Sequence, residues 1–251
     1  MPASKELNNV IKSFLKTCNI TAEASTYLET GLQYGDSVQF ALDLNFKKII
    51  SIDINKSYID KANQRFKNEV KNFRVLLIQG DSQEKIKEIY DESINIFFLD
   101  AHHHHDKEVE ADEKIFAPLE NEIKFLLNHV NEKQLILIDD FITIKHSFLF
   151  SNNVESWKSK LSYKKFKEII SDKGLNTFEV YSNFKGGCHL VLTKNKNFKM
   201  GKIFNLKNLV LKFYITFWFY YSKNVFSVMF KRFIIFLLPS RFYNFLKKKL
   251  F

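Results

Sequence analysis

Short apolar runs closed by acids, separated by amphipathic stretches, organise most of this chain. Lys48-Ile49-Ile50-Ser51-Ile52-Asp53, Ile94-Asn95-Ile96-Phe97-Phe98-Leu99-Asp100 and Leu135-Ile136-Leu137-Ile138-Asp139-Asp140 are the clearest. Runs this short, bounded by polar residues, predict buried parallel strands. Residues 26–29 and 73–79 predict two more strands. Helical spacing predicts helices over 37–44, 57–70, 82–90, 113–129 and 157–171, the fourth with Phe116, Leu119, Ile123, Leu126 and Leu127 on one face. Residues 178–182 and 188–193 flank Gly186-Gly187 and predict an antiparallel pair. The alternation predicts an α/β fold with a doubly wound, mostly parallel, seven-stranded sheet.

In such a sheet, ligands bind outside the carboxyl ends of the strands. Asp100, Asp139 and Asp140 all stand at such ends, and gathering carboxylates in one crevice costs free energy unless a cation or a proton compensates. Tyr27-Leu28-Glu29-Thr30-Gly31-Leu32-Gln33-Tyr34-Gly35-Asp36-Ser37 places a strand, a glycine turn and a helix start in succession. Gly31 and Gly35 permit close backbone approach to a ligand, and the helix start at Ser37 offers free N–H groups. An ordinary turn needs the same residues. Asp53 follows about twenty residues on, where an acid accepts the hydroxyls of a ribose. Gly80-Asp81-Ser82 closes the third strand, where Asp81 or Ser82 meets an adenine edge or caps a helix. No GxxxxGK[ST] motif is present, which argues against a P-loop nucleotidase.

The charge divides the chain. Of 38 Lys and Arg and 28 Asp and Glu, no acid follows Glu179, whereas 14 of the basic residues lie at or beyond Tyr181. The first 180 residues are therefore mildly acidic, and the rest strongly basic. A domain over residues 1–199 and a cationic, aromatic, helical appendage over 200–251 are expected. Lys212 and Lys231-Arg232 interrupt the apolar blocks at 210–221 and 226–238, and Lys223-Asn224 separates the two, so neither reaches the roughly 18 apolar residues of a spanning helix. Basic residues beside Trp, Tyr and Phe suit helices lying on an anionic membrane surface. Packing on the core and an oligomer interface are the other readings. The apolar runs are too greasy for a nucleic-acid groove. Two cysteines and no signal-like N-terminus fit a cytoplasmic protein, peripheral on a membrane's inner face if the tail binds there.

Glu29-Thr30-Gly31 with Gly35-Asp36-Ser37, then Ser51-Ile52-Asp53, Gly80-Asp81-Ser82, Leu99-Asp100-Ala101-His102 and Ile138-Asp139-Asp140, resemble class I S-adenosylmethionine (SAM)-dependent methyltransferases. The nearest branch is similar to macrocin O-methyltransferase, and Pro118-Leu119-Glu120-Asn121-Glu122-Ile123 resembles a helix start in related proteins. The resemblance spans about residues 25–193. It implies a Rossmann-like methyltransferase fold with Glu29 and Gly31 at the methionine end, Asp53 at the ribose, and Asp81 and Ser82 at the adenine. Gly35, Ser37 and Asp100 join that cofactor set. It also implies Mg²⁺ or another divalent cation held by Asp100, Asp139 and Asp140 beside the acceptor hydroxyl. The branch commonly reads Leu-Asp-Gly-Asp where this chain has Leu99-Asp100-Ala101-His102.

An imidazole titrates near neutrality, which makes His102 the candidate general base with Asp100 beside it. His103, His104 and His105 continue the run and read as bystanders or as a solvated loop. His129, His146 and His189 read as structural. The expected activity is O-methylation of a sugar hydroxyl in a glycan or glycolipid. A small natural product or lipid head group is the alternative acceptor, and a catalytically silent binding module the alternative class.

Overall fold

The computed structural model describes residues 5–101, 118–145, 161–171, 173–181 and 188–201. Seven strands form one sheet: β1 (Thr26–Thr30), β2 (Lys48–Asp53), β3 (Val75–Gln79), β4 (Ile94–Leu99), β5 (Leu135–Ile138), β6 (Asn176–Tyr181) and β7 (Cys188–Thr193). Their order is β3-β2-β1-β4-β5-β7-β6. Pairs from β3 through β5 are parallel, and β7 is antiparallel to both β5 and β6. The order reverses at β1, which places a crevice at the carboxyl ends of β1 and β4.

Alternate residues of each strand face opposite cores, as the two-residue period requires. Leu28, Ile50, Ile52, Phe97, Leu99, Ile136 and Ile138 face one cluster. It is closed by Ile86 of α5 (Ser82–Ile89), Ile123 and Leu126 of α6 (Leu119–His129), and Phe166 of α8 (Tyr163–Ile170). Tyr27, Ile49, Ile96, Phe98, Leu135 and Leu137 face the other. That cluster is covered by α1 (Lys5–Thr17), α2 (Asp36–Asp43) and α3 (Lys56–Arg65). Strands buried on both faces explain why β4 and β5 read as near-continuous apolar runs rather than alternating ones.

Three departures from the sequence pattern have physical causes. Helix α1 had no strand to flank it in sequence, yet Leu7, Val10, Ile11, Phe14 and Leu15 form a buried stripe at helical spacing. The helix expected over 57–70 is two, α3 and α4 (Lys67–Lys71), broken at Phe66. Phe66 leaves helical geometry (φ −108°, ψ 30°) and its ring is buried against Gly35, where a Cβ would meet it at 2.7 Å. A one-turn helix, α7 (Phe141–Lys145), follows β5 directly and buries Phe141, Ile142 and Ile144.

No helix among the described residues is long and apolar enough to cross a membrane. Residues 202–251, which contain most of the expected surface-binding tail, lie outside the described residues.

Candidate functional site

The backbone ladder continues one residue past each parallel strand. Gly80 N–H donates to Asp53 O at 2.9 Å, Gly31 N–H to Ile52 O at 2.8 Å, Asp100 N–H to Thr30 O at 3.0 Å, and Asp139 N–H to Leu99 O at 3.1 Å. Residues 31, 53, 80, 100 and 139 therefore stand in one row across the strand ends. This row is the row of motifs singled out from the sequence.

Gly31 occupies φ +88°, and a Cβ there would lie 2.5 Å from the Asp100 carbonyl oxygen. Any side chain would both strain the turn and push β1 and β4 apart. Asp53 shapes the glycine loop: its Oδ2 accepts from the Leu32 N–H at 2.9 Å and the Gln33 N–H at 3.1 Å, and its Oδ1 from the Asn55 N–H at 2.8 Å. Gly35 is left-handed (φ 77°) at the N-terminus of α2, where it makes room for Phe66.

Glu29 points to the other side of β1 and is fully buried. Its Oε1 accepts from the Ser51 hydroxyl at 2.6 Å, and its Oε2 has no hydrogen-bond partner. Burial pushes its carboxyl up to about 8 despite the Ser37 and Ser51 hydroxyls, which favour the charged form. At neutral pH this acid is mostly protonated. Ser37 is buried and faces Glu29 rather than open space. Asp81 is the N-cap of α5, its Oδ1 accepting from the Gln83 N–H at 3.0 Å. The capping reading thus holds for Asp81, and Ser82 is the first residue of the helix, buried.

Asp139 is engaged inside the protein. Its Oδ1 lies 2.7 Å from His189 Nδ1 and accepts from the Asp140 N–H at 2.8 Å. Its side chain and that of His189 are 9% and 7% exposed, so the pair is shielded from water. Burial lowers the basicity of His189, but the Asp139 carboxylate outweighs it and the imidazole is raised above its usual value. Asp140 sits at positive φ (49°), turning the chain from β5 into α7. Among the described residues, no group of three or more His, Cys, Asp or Glu is gathered to hold a metal ion. The expected metal shell of Asp100, Asp139 and Asp140 thus finds no support among them. Asp139 has taken a histidine partner instead. His102 and the rest of its histidine run lie outside the described residues.

Four site residues escaped the sequence reading. Thr30 and Glu122 are fully buried, with no hydrogen-bond partner for the Thr30 hydroxyl or either Glu122 oxygen. Burial pushes the Glu122 carboxyl up to about 7. Ser51 holds Glu29, and His189 holds Asp139. For Glu122 a signal existed: it lies three residues after Leu119 and one before Ile123, on the apolar stripe of α6. A charged residue on such a stripe needs a reason. His189 offered none, because its partner is 50 residues away in sequence.

No family model matches the chain, and no curated protein matches it significantly. Solved structures do. A Podospora anserina methyltransferase with SAH bound superposes with a TM-score of 0.53 at 14% identity, over 76% of this chain and 80% of that one. An O-methyltransferase from Bacillus cereus in complex with SAH gives 0.50 at 14% identity, over 77% of this chain and 83% of that one. At these identities the likeness is one of fold. The sheet and its flanking helices have the Rossmann-like architecture of SAM-dependent methyltransferases.

Proposed function

We propose that the chain is a SAM-dependent O-methyltransferase whose cofactor lies across the carboxyl ends of β1, β2 and β4. The observation that carries this reading is the closure at Gly31. Its bare Cα is pressed against the Asp100 backbone, with the Asp53-braced loop on one side and Asp100 on the other. Such a backbone cradle, lined by acids, suits a ligand that carries positive charge. The SAH-bound neighbours of like fold support the same choice.

The residues present fit SAM. Gly31 and the Leu32-Gln33 segment would lie along its methionine end. Asp53 shapes the wall against which a ribose would rest, and Asp81 and Ser82 border the adenine end. When bound, SAM supplies a methyl group on a sulfonium sulfur, which an acceptor oxygen displaces in line. The acceptor oxygen gains the carbon as the carbon–sulfur bond breaks, and the hydroxyl proton passes to a base. His102, two residues beyond Asp100, is assigned that role. The described acids do not fit a resident divalent cation, so no step is routed through one.

The acceptor is proposed to be a sugar hydroxyl of a glycan or glycolipid, on the resemblance to the macrocin-type branch. Residues 200–251 are proposed to rest on an anionic membrane surface, on the cytoplasmic side, presenting the crevice to that acceptor. A small natural product or lipid head group would use the same crevice.

Two measurements test the proposal. Isothermal titration with SAM should show one site per chain, and Asp53→Ala should abolish it. Incubation with methyl-labelled SAM and a glycolipid fraction should transfer label to an oxygen. Binding without transfer to any hydroxyl acceptor would favour a silent binding module, and the absence of binding would end the enzyme reading. Co-sedimentation with anionic vesicles should be lost when residues 202–251 are deleted.

A further inference from the structure

The sheet stops at β3, and the outer edge of that strand is bare. Strand β2 is its one neighbour in the sheet, in parallel register from Ile49↔Val75 to Asp53↔Gln79. Ile49 N–H donates to Arg74 O and Gly80 N–H to Asp53 O, so the even-numbered residues turn their backbone groups towards β2. The N–H and C=O groups of Val75, Leu77 and Gln79 therefore turn outward, and no other segment among the described residues hydrogen-bonds to them.

Such an edge is normally blunted by a charge, a proline or a bulge. Strand β3 has neither a charged residue nor a proline, and its register with β2 runs without a shift. Arg74, just before it, turns away to donate to Phe46 O and Asn45 Oδ1, both at 3.0 Å. Two of the three large apolar side chains exposed among the described residues stand here, Phe73 at 84% and Leu76 at 41%. Phe73 also holds a left-handed backbone (φ 58°), which is costly for a bulky residue. The two ends of the edge differ in charge. Lys67 and Lys71 outnumber Glu69 on α4, which precedes β3. Beyond β3, Lys85 and Lys87 are held by Glu88 and Glu84, which leaves Asp81 as the surplus charge at the start of α5.

We propose that a second copy of the chain occupies this edge, pairing β3 with β3 antiparallel about a two-fold axis at Leu77. Three outward residues make the edge its own complement. Leu77 faces Leu77 and Val75 faces Gln79 in both directions, so every bare group is paired. Leu76 of each copy meets Ile78 of the other in close, non-hydrogen-bonded pairs, which covers the exposed leucine. The lysines of α4 approach the Asp81 end of the second copy. By the same register Phe73 falls opposite Asp81 of that copy. Resting on the cofactor reading above, its ring closes the adenine end of the neighbouring crevice, so each site is completed by the other chain.

Sedimentation equilibrium of the full chain over a concentration series should show a dimer. Leu76→Lys sets a charge on the edge at an exposed position. It should weaken dimerisation at least about tenfold, because two cross-strand pairs are lost at once, with the circular dichroism unchanged. Phe73→Gly relieves the left-handed backbone and should fold. It should weaken SAM binding about tenfold, as for an aromatic ring removed from a base. The register is read by mixing copies: chains with Leu76→Cys and chains with Ile78→Cys should join through a disulfide under mild oxidation, since such paired Cα atoms stand about 4.5 Å apart. Neither variant alone should do so. A monomeric wild type, or a dimer that Leu76→Lys leaves intact because residues 202–251 or another surface holds it, overturns the inference and spares the cofactor reading. A dimer of this register in which Phe73→Gly binds SAM as tightly as wild type removes the shared site. A dimer of this register that binds no SAM keeps the edge pairing and ends the cofactor reading.

Discussion

Replacing Glu122 by glutamine should change how stability depends on pH. The carboxyl is fully buried and retains its proton up to about 7, against 4.5 for an exposed glutamate. In the unfolded chain it ionises near the ordinary value. Between those two points the folded state binds more protons than the unfolded state, so stability falls as pH rises through the window and levels off above it. Each pH unit of such a difference is worth about 1.4 kcal/mol, which gives a loss of about 3 kcal/mol by pH 8. Glu29, held up to about 8, acts in the same direction and extends the decline. Glu122→Gln removes one of the two contributions. Its melting temperature should therefore fall less steeply between pH 5 and 8, by roughly 6–12 °C for a chain of this size. The buried amide carries a desolvation cost of its own, but that cost is independent of pH, so the slope is diagnostic and the absolute melting point is not. Thermal melts of both proteins across this range supply the test. Parallel slopes would refute the assignment of a buried, proton-retaining carboxyl to α6.

Other outcomes follow from the same geometry. Gly31→Ala forces a Cβ to 2.5 Å from the Asp100 carbonyl at positive φ, so it should abolish SAM binding and lower the melting temperature, as read by titration and calorimetry. Asp139→Asn breaks a shielded pair, which costs roughly 3–5 kcal/mol where the remaining charge stays buried. Because His189 is raised in the folded state, the pair's contribution is full below the imidazole's unfolded value and fades as pH rises through the folded one; the variant's deficit in urea midpoint should be larger at pH 6 than at pH 9. With Asp139 committed to His189, methyl transfer should survive treatment with a chelator; activity lost to EDTA and restored by Mg²⁺ would contradict that commitment.

The centre of the sheet was readable because β2, β4 and β5 are short apolar runs closed by acids, and burial on both faces leaves that pattern nearly uninterrupted. Helix α1 carried a readable stripe too, but no neighbouring strand marked it as part of the same unit. The break at Phe66 was not readable, since it depends on the ring finding space at Gly35, 31 residues earlier. The same division runs through the site. Gly31 and Asp100 follow strand ends and Asp53 closes one, and the sheet register brings them together without any further information. Asp139 occupied its expected end of β5 as well, yet its partner was set by the antiparallel return of β7, which places His189 beside it. A residue's place on a strand is local, whereas the direction of its charge depends on what packs across from it. Glu122 lies between the two cases, since its position on the buried stripe of α6 was visible and its neighbours at the ends of β1 and α5 were not.

A sulfonium cofactor is proposed to occupy the row of strand ends around Gly31. Titrating isotopically labelled protein with SAM and following the backbone amide resonances addresses it directly. Saturable shifts concentrated at Gly31, Leu32, Asp53, Ser82 and Asp100 are the result expected. Shifts confined to another surface, such as the groove formed by Ile11, Leu15, Ile20 and Leu44, or no shifts at saturating ligand, would contradict the account.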